Sequence, residues 1–184
     1  MNGCTVFALT RILVPTNLGE PSRAAIQYGV AFARQFGGKL FLLHVLAAKD
    51  LDAALETERV LEVLSPDDAG RTADEPTSLE VARNAARHDL ARLLTPEDER
   101  QTQAEYLLRA SGIAGTADAI IACARELSVE LIVMGKHHLG FVEQVLAGSV
   151  AEKVVRHAPC PVLIVQHPER DFVVAEPRQA TAAQ

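Results

Sequence analysis

Tryptophan is absent from this chain, and aromatic residues make up only 4% of it. The core must therefore be filled by Val, Leu, Ile and Ala, a composition common in α/β proteins. Cysteine is nearly as scarce: Cys4, Cys123 and Cys160 are odd in number and widely spaced, with no Cys-x-x-Cys pair. That argues against a disulfide framework or a thiolate zinc site and fits reduced thiols in a cytoplasmic protein. No run of Lys or Arg appears, which argues against nucleic acid or an anionic membrane as partner. No window approaches the ~20 apolar residues of a membrane span. The opening MNGCTVFALTRILVP carries no charged region ahead of an apolar one. Neither signal peptide nor transmembrane helix is expected, and no repeat of solenoid length is found.

The 184 residues are 48% hydrophobic and 23% charged, which suits one domain with a sizeable core. The net charge of −6 is unevenly placed. Residues 50–100 hold 14 acidic and 6 basic side chains, so the middle of the chain is an acidic, solvated region. Within it, Asp50 to Leu64 has helical composition, and Ser65 to Thr77 reads as a loop from its Pro, Gly, Asp and Thr content. The stretch around 50–77 is expected to be an acidic insert.

Buried strands and helices alternate along the rest. Arg11 to Pro15 reads as a first strand, and Thr16 to Gly19 turns it into a helix reaching about Phe36, stopped by Gly37-Gly38. Lys39 to Val45 is a second strand. Ser78 to Leu94 reads as a helix with an apolar stripe of Leu79, Ala82, Ala86, Leu90 and Leu93. Thr95 to Asp98 reads as a polar turn, and Ala104 to Leu108 as a third strand. Thr116 is expected to cap a helix to about Leu127, with Ile120, Ile121, Ala124 and Leu127 inward. Leu131 to Met134 is the fourth strand, apolar without alternation as in a parallel sheet covered on both faces. Residues 168–184 are expected to form a mobile tail. The alternation implies a doubly wound α/β fold with five parallel strands and helices on both faces.

The most informative stretch is Leu131 to Val165: strand, glycine-bearing loop, helix, strand. Ser149 and Glu152 match a capping box at the start of the helix Val150 to Arg156, which Pro159 and Pro161 prevent from continuing. Val162 to Val165 is the last strand. Unpaired N–H groups at a helix start, together with glycines that allow close approach, suit a phosphate.

This segment resembles the universal stress proteins. Their nucleotide-binding members carry Gly, two residues, Gly, nine residues, then Gly and Ser or Thr. Gly135 takes the first place here and Gly148-Ser149 the last, with His138 where the family has its second glycine. The amino-terminal unit is similar too. The family opens with an apolar strand and Pro-Thr-Asp, and its second strand ends in Leu-His-Val. This chain has Pro15-Thr16-Asn17 and Leu43-His44-Val45, with Asn17 in place of the acid. The resemblance implies the adenine nucleotide alpha hydrolase-like fold, strand order 3-2-1-4-5, in a domain spanning 1–167. It implies ATP or another adenine nucleotide as ligand, with or without Mg2+, and a role in stress response. The residues carried over are Pro15, Thr16, Asn17, Val45, Met134, Gly135, His138, Gly148, Ser149 and Val150. They would meet where ligands bind in such sheets, beyond the strand ends at the switch between strands one and four. Similar proteins form homodimers through the last strand, here Pro161 to Gln166, and an apolar edge strand needs a partner on physical grounds as well.

Other readings stay open. The same fold serves as a nucleotide-free dimeric scaffold if His138 fills the site. A slow ATPase is the enzymatic alternative, although no base is identifiable and no Walker pattern Gly-x-x-x-x-Gly-Lys-Ser/Thr occurs. His137 and His138 lack the cysteine and carboxylate company of a metal site. His138 narrows the phosphate channel or donates to a phosphate. Lys136 is a phosphate contact or a solvated loop residue. Ser149 caps a helix rather than serving as a nucleophile. Cys160 is expected to be buried and inert, and His44 and His157 to be structural.

Overall fold

The computed structural model describes residues 9–46, 78–111, 113–135 and 150–165, with Glu20, Pro21, Ser78 and Leu79 described in backbone alone. The elements are β1 (Arg11–Thr16), α1 (Glu20–Phe36), β2 (Lys39–Leu46), α2 (Ser78–Ala91), α3 (Pro96–Thr102), β3 (Glu105–Ala110), α4 (Thr116–Glu126), β4 (Leu131–Gly135), α5 (Val150–His157) and β5 (Val162–Val165). The strands form one parallel sheet in the order β3-β2-β1-β4-β5, as expected.

The sheet is covered on both faces because each central strand is apolar on both. Side chains alternate in direction along a strand, so neighbours in sequence enter different cores. Ile12, Val14, Leu40, Leu42 and Val133 meet Ala25, Val30 and Ala33 of α1 and Leu90 of α2. Leu13, Phe41, Leu43, Ile132 and Met134 meet Ile120, Ile121 and Ala124 of α4 and Val154 of α5. The small residues of α1 let it lie close to the sheet. A Cβ on Gly29 would come within 2.5 Å of Val14 Cγ2 and 3.1 Å of Leu40 Cδ1.

Two adjacent glycines end α1 for different reasons. Gly37 takes the left-handed conformation (φ 64°) of a C-cap. Gly38 is needed for space, since a Cβ there would sit 2.2 Å from the Leu9 carbonyl oxygen. The Lys39 N–H then donates to Thr10 O at 2.8 Å, opening the β1–β2 ladder.

The structure corrects three local readings. Thr95 to Asp98 is the start of helix α3 rather than a free turn: Thr95 Oγ1 accepts from Asp98 N–H, and the Asp98 carboxylate accepts from Thr95 N–H, each at 3.1 Å. The residue capping α4 is Gly115 (φ 95°), not Thr116, which is the first helical residue. Helix α2 stops at Ala91, short of Leu94. Of its proposed stripe, Ala86 and Leu90 are buried while Ala82 and Leu93 are only partly so. The acidic insert, the tail at 168–184 and the glycine loop lie outside the described residues.

Candidate functional site

The pairing of β1 with its two neighbours is unequal. β1 pairs with β2 over six residues, from Arg11↔Lys39 to Thr16↔His44. On its other side β1 pairs with β4 only at Ile12↔Leu131 and Leu13↔Ile132. Val14 to Thr16 and Val133 to Gly135 share no rung, because Pro15 has no N–H to give the Val133 carbonyl, although the two strands stay side by side. This is the point where the strand order reverses, and helices leave β1 and β4 toward opposite faces of the sheet. Such a switch point leaves backbone polar groups facing a gap.

The turn leaving β1 is tightly organised. Thr16 is buried, and its Oγ1 accepts from Leu18 N–H at 3.0 Å. Leu18 is left-handed (φ 64°), an uncommon state for a non-glycine residue. Asn17 Oδ1 accepts from Gly19 N–H at 3.0 Å and from Ser22 Oγ at 2.8 Å. Ser22 Oγ also accepts from Asn17 N–H at 3.3 Å. Ser22, in the first turn of α1 and buried, escaped the sequence reading. A hydroxyl five residues beyond Asn17 and just inside a helix start was the available signal.

His44 is the second residue whose part emerges only in three dimensions. Its Nδ1 lies 2.9 Å from Thr16 O. A carbonyl oxygen can only accept, so Nδ1 carries the proton and a neutral ring leaves Nε2 as an acceptor. The ring thereby fastens the last residue of β1 to β2. His157 is structural in a simpler way, with Nδ1 donating to Lys153 O at 3.0 Å within α5.

The other described residues singled out lie at or near the ends of their elements. Pro15 and Thr16 end β1 and Asn17 follows it. Val45 is next to last in β2, half-buried, and aligned with Arg109 of β3. Met134 is buried and Gly135 ends β4, aligned with Ile164 and Val165 of β5. Val150 is the first residue of α5 and 41% exposed. His138, Gly148 and Ser149 lie outside the described residues, as do Lys136 and His137. Cys123 is buried and Cys160 half-buried, and burial raises both thiols above their ordinary range. Neither is poised as a nucleophile.

The opposite end of the sheet is held by charge. The Glu130 carboxylate accepts from Thr10 N–H, from Thr10 Oγ1 at 2.9 Å and from Arg11 N–H at 3.1 Å. These donors, the Thr10 backbone first, hold its pKa below the usual carboxylate value. Glu130 N–H returns a bond to Arg11 O at 2.9 Å. A shallow depression here is lined by Lys39, Phe41, Glu105 and Glu126 among others. Its charged groups are engaged: Lys39 pairs with Glu105 at 2.7 Å, Glu126 pairs with Arg109 outside the lining at 3.2 Å, and the Arg11 guanidinium donates to Leu127 O at 3.1 Å. Among the described residues no three His, Cys, Asp or Glu side chains converge as a metal site would require. No helix there is long and apolar enough to cross a membrane.

The universal stress protein family matches this sequence over residues 8–166. Universal stress protein MJ0531 of Methanocaldococcus jannaschii is 24% identical over 162 residues, covering 88% of this chain and 84% of that protein. Among solved structures, hypothetical protein MJ0577 superposes with a TM-score of 0.60 at 21% identity, covering 88% of this chain and 98% of its own. A universal stress protein crystallised in complex with cAMP gives a TM-score of 0.52 at 19% identity, with coverages of 87% and 98%. At these identities the structural likenesses show the fold alone.

Proposed function

We propose that this chain, which belongs to the universal stress protein family, reversibly binds an adenine nucleotide at the gap between β1 and β4 and acts as a stress-linked regulator in the cytoplasm. The observation that carries this reading is the early end of the β1–β4 ladder. Beyond it Pro15, Thr16 and Asn17 lie at the end of β1 and Met134 and Gly135 at the end of β4, and Pro15, Thr16 and Gly135 are among the residues that carry the family likeness. A relative of the same fold was crystallised with cAMP, which supports adenine as the base.

In this reading Asn17 and the Val45 main chain lie beside ribose and adenine. Gly135, His138, Gly148, Ser149 and Val150 receive the phosphates, and ATP, with or without Mg2+, is the leading ligand. The domain of this reading spans 1–167 and includes the acidic insert of about 50–77, with 168–184 as a tail. Two copies pair through β5, whose Val162, Leu163 and Ile164 are only partly covered within one chain.

The test is direct. Protein purified without added ligand is denatured, and the released small molecules are identified by mass and by absorbance near 260 nm, where a Trp-free chain contributes little. Gly148→Glu should abolish ATP binding in calorimetry, because a carboxylate would enter the phosphate position. Unchanged affinity in that variant would refute the placement. A folded dimer that neither carries nor takes up any adenine nucleotide would be a scaffold instead.

A further inference from the structure

Asn17 stands where the family places an acid, and its hydrogen bonds fix which end of the amide faces outward. Gly19 N–H can only donate, so the side-chain atom 3.0 Å from it is Oδ1. Ser22 Oγ gives its single proton to the same oxygen at 2.8 Å and receives Asn17 N–H at 3.3 Å. Both lone pairs of Oδ1 are then in use. Asn17 is exposed, and its Nδ2 has no hydrogen-bond partner among the described residues. The amide cannot turn over without placing an NH2 group against the Gly19 N–H. Asn17 therefore turns two N–H donors and no charge outward from the turn that leaves β1.

A carboxylate tied to the same two donors would present the reverse, an anionic acceptor. It would accept from a ribose hydroxyl and repel any phosphate beside it. An NH2 group donates to an ester or phosphate oxygen and repels neither. A free hydroxyl can still accept from Nδ2, so asparagine tolerates the diol. It removes the barrier to a phosphate on the sugar, and a charged phosphate oxygen accepts from Nδ2 more strongly than a neutral hydroxyl does.

We propose that Asn17 makes the gap select adenine nucleotides phosphorylated on the ribose edge, cyclic or 3′-phosphorylated, over those with a free 2′,3′-diol. This rests on the nucleotide reading above, in which Asn17 lies beside the ribose. Gly19 N–H and Ser22 Oγ are the positioning groups that hold the amide in this sense.

The test compares the intact protein with Asn17→Asp, a substitution that keeps an oxygen for Gly19 N–H and Ser22 Oγ and so preserves the turn. Matching circular dichroism and melting curves establish that both proteins are folded. Cyclic AMP, adenosine 3′,5′-bisphosphate, 5′-AMP and 5′-GMP are each titrated by calorimetry. The protein should bind the two ribose-phosphorylated ligands several-fold tighter than 5′-AMP. Asn17→Asp should weaken them by about tenfold, the effect of one interaction of ordinary strength, while leaving 5′-AMP equal or tighter. An unchanged order of preference in Asn17→Asp overturns the proposal and leaves the nucleotide reading standing. 5′-GMP binding above 5′-AMP also overturns the proposal, putting Asn17 against the base, and removes adenine from the reading above. Failure of both proteins to bind any of the adenine ligands refutes the nucleotide reading itself, and the proposal with it.

Discussion

At the scale of single residues, the glycine pair after α1 shows how one letter can answer two demands. A methyl at Gly38 would press on a backbone carbonyl that cannot rotate away. Gly38→Ala should therefore cost about 2–3 kcal/mol, at the upper end of overpacking effects. Gly37 has open space around it and a left-handed backbone, so Gly37→Asn should stay within about 1 kcal/mol of the parent. Equilibrium urea unfolding of the two variants checks the contrast. Gln103 points the other way: it is an exposed non-glycine residue held left-handed (φ 46°) at the end of α3. Gln103→Gly should raise stability by about 0.5 kcal/mol in the same assay, since relief of strain slightly exceeds the added chain entropy. The sequence announces a helix stop at Gly37-Gly38. It does not announce which glycine is needed for its torsion and which for its size, because that depends on Leu9 lying against the turn.

At the scale of elements, legibility follows burial. Strands β1, β2, β4 and β5 could be read because each is a short apolar run covered on both faces or at an edge, and helix α1 because Gly19 and Gly37 bracket it. Helix α3 could not be read, since in its seven residues only Thr102 is buried and no apolar stripe marks it. Its signature was the Thr95-x-x-Asp98 box alone. Thr95→Ala should cost about 1 kcal/mol, the usual cost of losing an N-cap, measurable as a lower unfolding midpoint. The amino ends of β1 and β4 make a pH-dependent joint. Glu130 titrates below its unfolded value near 4.5 because Thr10 and Arg11 donate to its charged form. A depressed carboxylate contributes stability above the unfolded value and loses it as pH falls through the folded one. Glu130→Gln should therefore be less stable than the parent by about 1 kcal/mol at neutral pH, allowing for solvent screening. The gap between the two proteins should close as urea unfolding is repeated from pH 5 down to pH 3.

At the scale of the whole molecule, strand order and layering came from the family likeness and the alternation of strand and helix. The convergence of Ser22 and His44 on the turn at Thr16 and Asn17 did not, because an imidazole in a strand carries no mark of the turn it will meet and the hydroxyl at the helix start carries only a faint one. The proposed pairing through β5 has a backbone test. Ile132 N–H donates to Pro161 O at 3.0 Å, and alternation along a parallel ladder then turns the N–H groups of Leu163 and Val165 toward β4 and those of Val162 and Ile164 outward. Ile164→Pro removes an outward donor while sparing the β4 ladder. Sedimentation should show a dimer becoming a folded monomer, and a parent protein already monomeric would dismiss the pairing. One asymmetry of the sheet has a mechanical meaning. β1 and β4 are fastened at their amino ends by Glu130 and share no rung beyond Leu13 and Ile132. The two strands stay side by side to their ends, but Pro15 brings no N–H to the Val133 carbonyl, so the far half has fewer backbone bonds to lose and yields to a guest before the riveted half does.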